Sequence, residues 1–173
     1  MAELAALCSR GSSPDQGARD FYALLDRCFT TFEVRISEHT EAAYRTAFAC
    51  AAATAHKNVV YLFRSERPVQ RFVGASDILY IGQTKHSFQN RYGRSAGKHA
   101  AIQRNKHALA AYGPIRLSTC DYRRFGESLL AAENQLLWWY YQNHFEYPPF
   151  NYTRARAPGK KTKLPASAPG ASN

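Results

Sequence analysis

Two short apolar runs constrain this chain most. Ile78-Leu79-Tyr80-Ile81 runs into Gly82 and then Gln83-Thr84, the pattern of a short buried strand that ends in a turn. Eighteen residues upstream of Ile78, Val60-Tyr61-Leu62-Phe63 has the same character. Each run carries one tyrosine. The residues between them, Arg64 to Asp77, contain Pro68, Gly74 and three arginines, and read as a long hairpin connection facing water. Further on, Arg91 lies one helical turn past Phe88, and a strongly apolar helix holds a single carboxylate, Glu133. Two phenols, one guanidinium and one carboxylate on a basic chain are a kit suited to attacking phosphodiesters.

The other elements follow from periodicity. Phe21, Leu24, Leu25, Cys28, Phe29 and Phe32 keep helical three-and-four spacing after Ser13-Pro14, and a second helix is expected from about Thr40 to Ala55 with an alanine stripe. This helical pair reads as a packing layer, with a dimer face or a substrate-selecting lid as alternatives. A helix holding Arg91 is expected from about Ser87, interrupted at Gly93 and Gly97 and continuing from Lys98 to Tyr112, where Gly113-Pro114 stops it. Ile115 to Cys120 reads as a third strand. Glu127 to His144 is the strongest helix, and Pro148-Pro149 prevents its continuation. The organisation expected is an N-terminal helical extension over 1–56, a domain over 57–153, and a disordered basic tail over 154–173. The fold class is α/β, with a small, mostly antiparallel three-stranded sheet flanked by helices.

Charge adds the partner. The net charge of the 173 residues is +10, but residues 1–56 carry five arginines against seven acidic residues, while 57–173 carry 18 basic against six acidic ones. The positive field therefore surrounds the motif and favours a polyanion, most simply nucleic acid. The tail from Arg154 to Lys163 has no acidic residue and suits phosphate contact without sequence readout. Cys8, Cys28, Cys50 and Cys120 include no C-x-x-C pair, which argues against a zinc ribbon. No apolar stretch reaches the ~18 residues of a membrane span, and the apolar start lacks the basic residues of a signal peptide. The expectation is an intracellular protein with reduced thiols and no membrane partner.

Tyr80-Ile81-Gly82 resembles the second half of the GIY-YIG nuclease signature, and Val59-Val60-Tyr61 stands where that family has its first tripeptide. Phe88-x-x-Arg91 is similar to the family's arginine helix, Leu129-Leu130-Ala131-Ala132-Glu133-Asn134 to its glutamate helix, and Asn151 to the asparagine that follows a proline-containing stretch. The resemblance spans about Val59 to Asn151. Val59 replaces the first glycine, a position that mostly serves backbone packing. The gap from Gly82 to Arg91 is one residue longer than is common in the family. The resemblance implies a metal-dependent endonuclease acting on DNA in preference to RNA, in restriction, defence, mobile-element or repair contexts. A non-catalytic nucleic-acid-binding module on the same scaffold is the alternative. It implies Tyr61 as base or water-positioner, Tyr80 as a phosphate contact, Arg91 as the phosphate clamp and Glu133 as ligand to Mg²⁺ (or Mn²⁺).

Elementary chemistry agrees. Mg²⁺ takes oxygen ligands and often needs only one or two protein carboxylates, and it supplies charge stabilisation and help for the leaving oxygen. Arginine offers a bidentate phosphate contact that lysine cannot copy. A phenol of ordinary pKa about 10 near a metal and Arg91 would have its anion favoured. Plainer alternatives stand beside these roles: an ion-paired helix glutamate, a surface arginine and two packing tyrosines. Lys85, His86, Arg94, Lys98, His99 and Asn151 are further candidates for nucleic-acid contact, with Asn151 also suited to holding the C-terminal stub. No separate sequence-reading module is evident, so specificity falls to the hairpin loop, the 93–112 region or a homodimer.

Overall fold

The computed structural model describes residues 14–38, 40–93 and 110–151. Helix α1 (Pro14–Cys28) leads directly into strand β1 (Thr30–Ile36). Two short helices follow, α2 (Glu41–Ala47) and α3 (Ala51–Ala55), then a long hairpin of β2 (Val59–Gln70) and β3 (Ala75–Thr84). A single π turn covers Gln89–Gly93, and the last elements are β4 (Ile115–Asp121) and α4 (Leu129–His144), the latter followed by a 3-10 turn at Pro149–Asn151.

Among the described residues the sheet has four strands in the order β1-β4-β2-β3, every neighbouring pair antiparallel. The mixed α/β class and the antiparallel sheet agree with expectation; the three-strand count does not. Thr30 to Ile36 is a strand, not the end of the first helix. Val34 and Ile36 are buried, Phe32 is partly so, and Thr31 and Arg35 are exposed, the period of two that a half-buried strand requires. The expected second helix is broken at Phe48–Cys50, where the Phe48 ring is fully buried. The hairpin arms also run further than expected. The register shifts once between Phe63 and Arg64, and pairing lapses between Arg64 and Val69, the stretch that holds Pro68, which cannot donate to a ladder. The turn closes with the Arg71 amide donating to the Gly74 carbonyl at 3.0 Å, and Gly74 has a φ of +68°.

Two core layers sandwich the sheet. On one face Val60, Leu62, Ile81 and Cys120 meet Phe21, Leu25 and Phe29 of the α1 region and Ala132, Leu136 and Tyr140 of α4. On the other, Tyr61, Phe63, Leu79 and Leu117 meet Phe48, Phe88 and Tyr92. Residues 14–56 are thus woven into the same fold, since β1 pairs with β4 and α1 packs on α4 through Phe21 and Trp139, ring centroids 6.4 Å apart. Trp138, next to Trp139, is about half exposed. Ser128 starts α4 by accepting from the Ala131 amide at 3.1 Å. No helix among the described residues is long and apolar enough to cross a membrane.

Candidate active site

The site is built on one pair in the β2–β3 ladder, Tyr61 opposite Gly82. Tyr80, two residues before Gly82, points to the same face. A Cβ at position 82 would stand 2.8 Å from both Cζ and Oη of Tyr61, and closer still to the Tyr80 ring. Only glycine lets the two phenols converge over its backbone, their ring centroids 5.8 Å apart. This is the physical content of a tyrosine followed two residues later by glycine. The Tyr61 ring is further boxed by Phe88, edge-on at 5.0 Å, and by Phe63 at 5.6 Å.

Arg91 enters from the π turn. Its amide donates to the Ser87 carbonyl at 3.1 Å, and its Nε donates to Tyr61 Oη at 2.9 Å. The guanidinium carbon lies 5.8 Å from the Tyr61 ring centroid and 5.9 Å from that of Tyr92. Arg91 is half-buried, and no carboxylate among the described residues forms an ion pair with it; residues 94–109 contain no Asp or Glu. A half-buried cation packed against neutral phenols is short of negative charge, so this corner welcomes an anion.

Tyr92 was not expected. Its Oη is 2.5 Å from Tyr61 Oη, and its buried ring stacks on Phe48 at 4.9 Å. Tyr61 therefore sits between two fixed partners, Arg91 and Tyr92. Burial pushes the Tyr61 phenol well above its ordinary value, and the neighbouring Tyr92 and Tyr80 push the same way; Arg91 opposes them and is outweighed. The resting group is a neutral hydroxyl, and its anion is disfavoured. Burial likewise raises Tyr92.

The remaining candidates are scattered. Glu133 is 1 % exposed and lies on α4, beside Ala132, whose layer is on the opposite face of the sheet from Tyr61. Since β3 is an edge strand, the path between the two layers runs around that edge. Asn151 stands there in a holding role. Its Oδ1 accepts from the Ile81 amide at 2.9 Å and its Nδ2 donates to the Ile81 carbonyl at 2.8 Å. One side chain thus completes the ladder of an edge strand. With 2 % of Asn151 exposed and both ends occupied, its amide has no surface to offer a phosphate. Lys85 and His86 are exposed at the end of β3, where the Thr84 hydroxyl ties the turn by donating to the His86 carbonyl at 2.8 Å. Arg94, Lys98 and His99 lie outside the described residues. No three His, Cys, Asp or Glu side chains come together among the described residues, and the carboxylate oxygens of Glu133 are the donors the expected metal would use. Hard oxygen donors of that kind suit Mg²⁺ better than zinc.

Comparison with protein-family models, with characterised proteins and with solved structures finds no match to this chain.

Proposed function

We propose that the chain is a metal-dependent endonuclease of the GIY-YIG type that hydrolyses phosphodiester bonds in DNA. The observation that carries this reading is Arg91: a half-buried guanidinium without an acidic partner among the described residues, held on the Tyr61 hydroxyl, in a basic half of the chain. Arg91 takes the scissile phosphate, and its contact strengthens as charge develops there. Tyr61, fixed by Arg91 and Tyr92 and kept neutral by burial, positions the attacking water through its hydroxyl and does not act as an anionic base. Tyr80, half-buried on the same face, contacts the phosphate. Glu133 would hold Mg²⁺ or Mn²⁺, which when bound supplies charge stabilisation and lowers the pKa of bound water. Water oxygen bonds to phosphorus and gives up a proton to solvent, the bond to the leaving sugar oxygen breaks, and that oxygen takes a proton from solvent.

A non-catalytic binding module is the second reading, favoured by the complete burial of Tyr61 and the two hydrogen bonds its hydroxyl already makes within the protein. Nicking of supercoiled plasmid with Mg²⁺, and its loss with chelator, supports the nuclease. Retention of DNA by a protein that never cuts it supports the module.

A further inference from the structure

A cleft of about 450 Å³ opens at the end of the sheet, where β2 begins and β3 ends, against the start of α4. Asn58, Gln83, Lys85 and Tyr122 line it with the buried Leu129. Among the described residues, no hydrogen bond or ion pair occupies the side chains of Asn58, Gln83, Lys85 or Tyr122. Asn58 also holds a left-handed backbone, φ +55°, which asparagine tolerates better than most residues.

We propose that this cleft takes one unpaired nucleobase of the DNA strand whose neighbouring phosphate lies on Arg91, an inference that rests on the nuclease reading above. Successive residues of a strand face opposite sides, so Gln83 turns into the cleft while Gly82 lies under the tyrosines. Lys85 stands on the short link, residues 85–88, between the end of β3 and the turn that carries Arg91. The cleft and Arg91 lie on opposite faces of the sheet, so a strand clamped at Arg91 reaches the cleft by passing over Lys85 at the end of β3. The chemistry of the walls fits a base. Each free amide offers donors and an acceptor side by side, the pattern that pairs with a base edge. Tyr122 offers a half-buried ring and Leu130, exposed in the same lining, an apolar surface for stacking. The exposed carboxylate of Glu127, also in the lining, repels a phosphate from the interior and leaves that group to Lys85.

The test compares two fluorescein-labelled strands of equal length by anisotropy in chelator, so that nothing is cut: a single-stranded oligodeoxynucleotide and an abasic deoxyribose-phosphate strand. Phosphate contacts are common to both, so the affinity ratio reports the base. The full chain should bind the base-bearing strand about tenfold more tightly, the size expected of one stacked base. Gln83→Ala and Asn58→Gly, the latter chosen because glycine keeps the left-handed backbone, should bring that ratio toward one without changing affinity for the abasic strand. A ratio near one in the unaltered protein, or a ratio unchanged in the variants, overturns the proposal. Asn58→Gly alone decides the matter if Gln83→Ala does not fold. Plasmid nicking run in parallel separates the two readings. A base-dependent ratio lost in the variants without any cleavage leaves the cleft standing and removes the nuclease; cleavage with a ratio near one does the reverse.

Discussion

Replacing Gly82 with alanine tests the geometry of the tyrosine pair without touching a polar group. The added Cβ would stand 2.8 Å from Tyr61 Cζ and Oη, where ordinary contact begins at 3.4 Å. Tyr61 cannot simply retreat, because Phe63, Phe88 and Tyr92 enclose it and it is fully buried. A shift of several tenths of an ångström strains both bonds at its hydroxyl, 2.9 Å to Arg91 and 2.5 Å to Tyr92. Overpacking of this kind costs about 1–3 kcal/mol, and weakening two hydrogen bonds adds to it at about 0.5–1.5 kcal/mol each when fully lost. Reduced freedom of the unfolded chain returns about 0.4–1 kcal/mol. The net expectation is a loss of about 1–4 kcal/mol, which for a domain of this size lowers Tm by roughly 3–15 °C. Thermal melts followed by near-ultraviolet circular dichroism should show that drop, with a changed tyrosine signal. Gly74, with nothing within 4 Å of its hypothetical Cβ, supplies the control: Gly74→Asn should melt within about 2 °C of the unaltered protein, since asparagine accepts the left-handed region. A Gly82→Ala protein that melts at or above the unaltered temperature would refute the packing account.

Three further outcomes follow from the same structure. Tyr61→Phe keeps the ring and removes the hydroxyl that accepts from Arg91, so urea midpoints should report a loss of about 1–2 kcal/mol, and cleavage should fall while DNA affinity in a filter-binding assay is spared. Asn151→Ala strips the Ile81 amide and carbonyl of their partners at the edge of β3; two buried groups left unpaired cost about 2–4 kcal/mol, readable as a lower urea midpoint, and hydrogen exchange at Ile81 should accelerate. His144 is buried with Nδ1 donating to the Val73 carbonyl at 2.7 Å and Nε2 2.6 Å from Tyr22 Oη, and burial lowers its pKa below the ordinary 6.5. Its neutral form is the folded one, so its contribution to stability is complete above pH 6.5 and is lost as pH falls below that value toward the folded pKa. Urea midpoints measured from about pH 7.5 to about pH 5 should fall, and His144→Asn should flatten that slope; an equal slope in both proteins counts against the assignment.

Much of the scaffold is legible in the residues themselves. Alternating or continuous apolar runs mark β2, β3 and β4, and the dense apolar pattern after Ser128 marks α4. Strand β1 is hidden because Phe29 and Phe32 satisfy a helical spacing while Thr30, Thr31, Val34 and Ile36 satisfy a strand, and only the free edge of β4 decides between them. Arg64 and Ser65 look like loop residues, yet they pair with Ile78, Arg116 and Ile115 because the neighbouring strands extend beside them. Within the site, Tyr61, Tyr80 and Arg91 are legible from spacing and come together. Tyr92 is not, because residues adjacent on a regular helix face different directions, and a π turn replaces the helix. The protonation of Tyr61 is equally illegible. Nearby positive charge argues for a phenolate, and only the depth of burial reveals that desolvation prevails.

In the proposed function, Arg91 and its tyrosines act on a phosphodiester with Glu133 holding the metal. Plasmid nicking over a Mg²⁺ or Mn²⁺ titration, on the unaltered protein, Arg91→Ala and Glu133→Gln, tests it most directly when filter binding is measured on the same samples. The unaltered protein should nick in a metal-dependent way, and neither variant should nick. DNA binding should persist or tighten in Glu133→Gln, where a negative charge is gone, and weaken in Arg91→Ala, where a phosphate contact is lost. Nicking by Glu133→Gln at the unaltered rate would contradict the metal assignment, and an unaltered protein that binds DNA and never nicks it would contradict the nuclease itself.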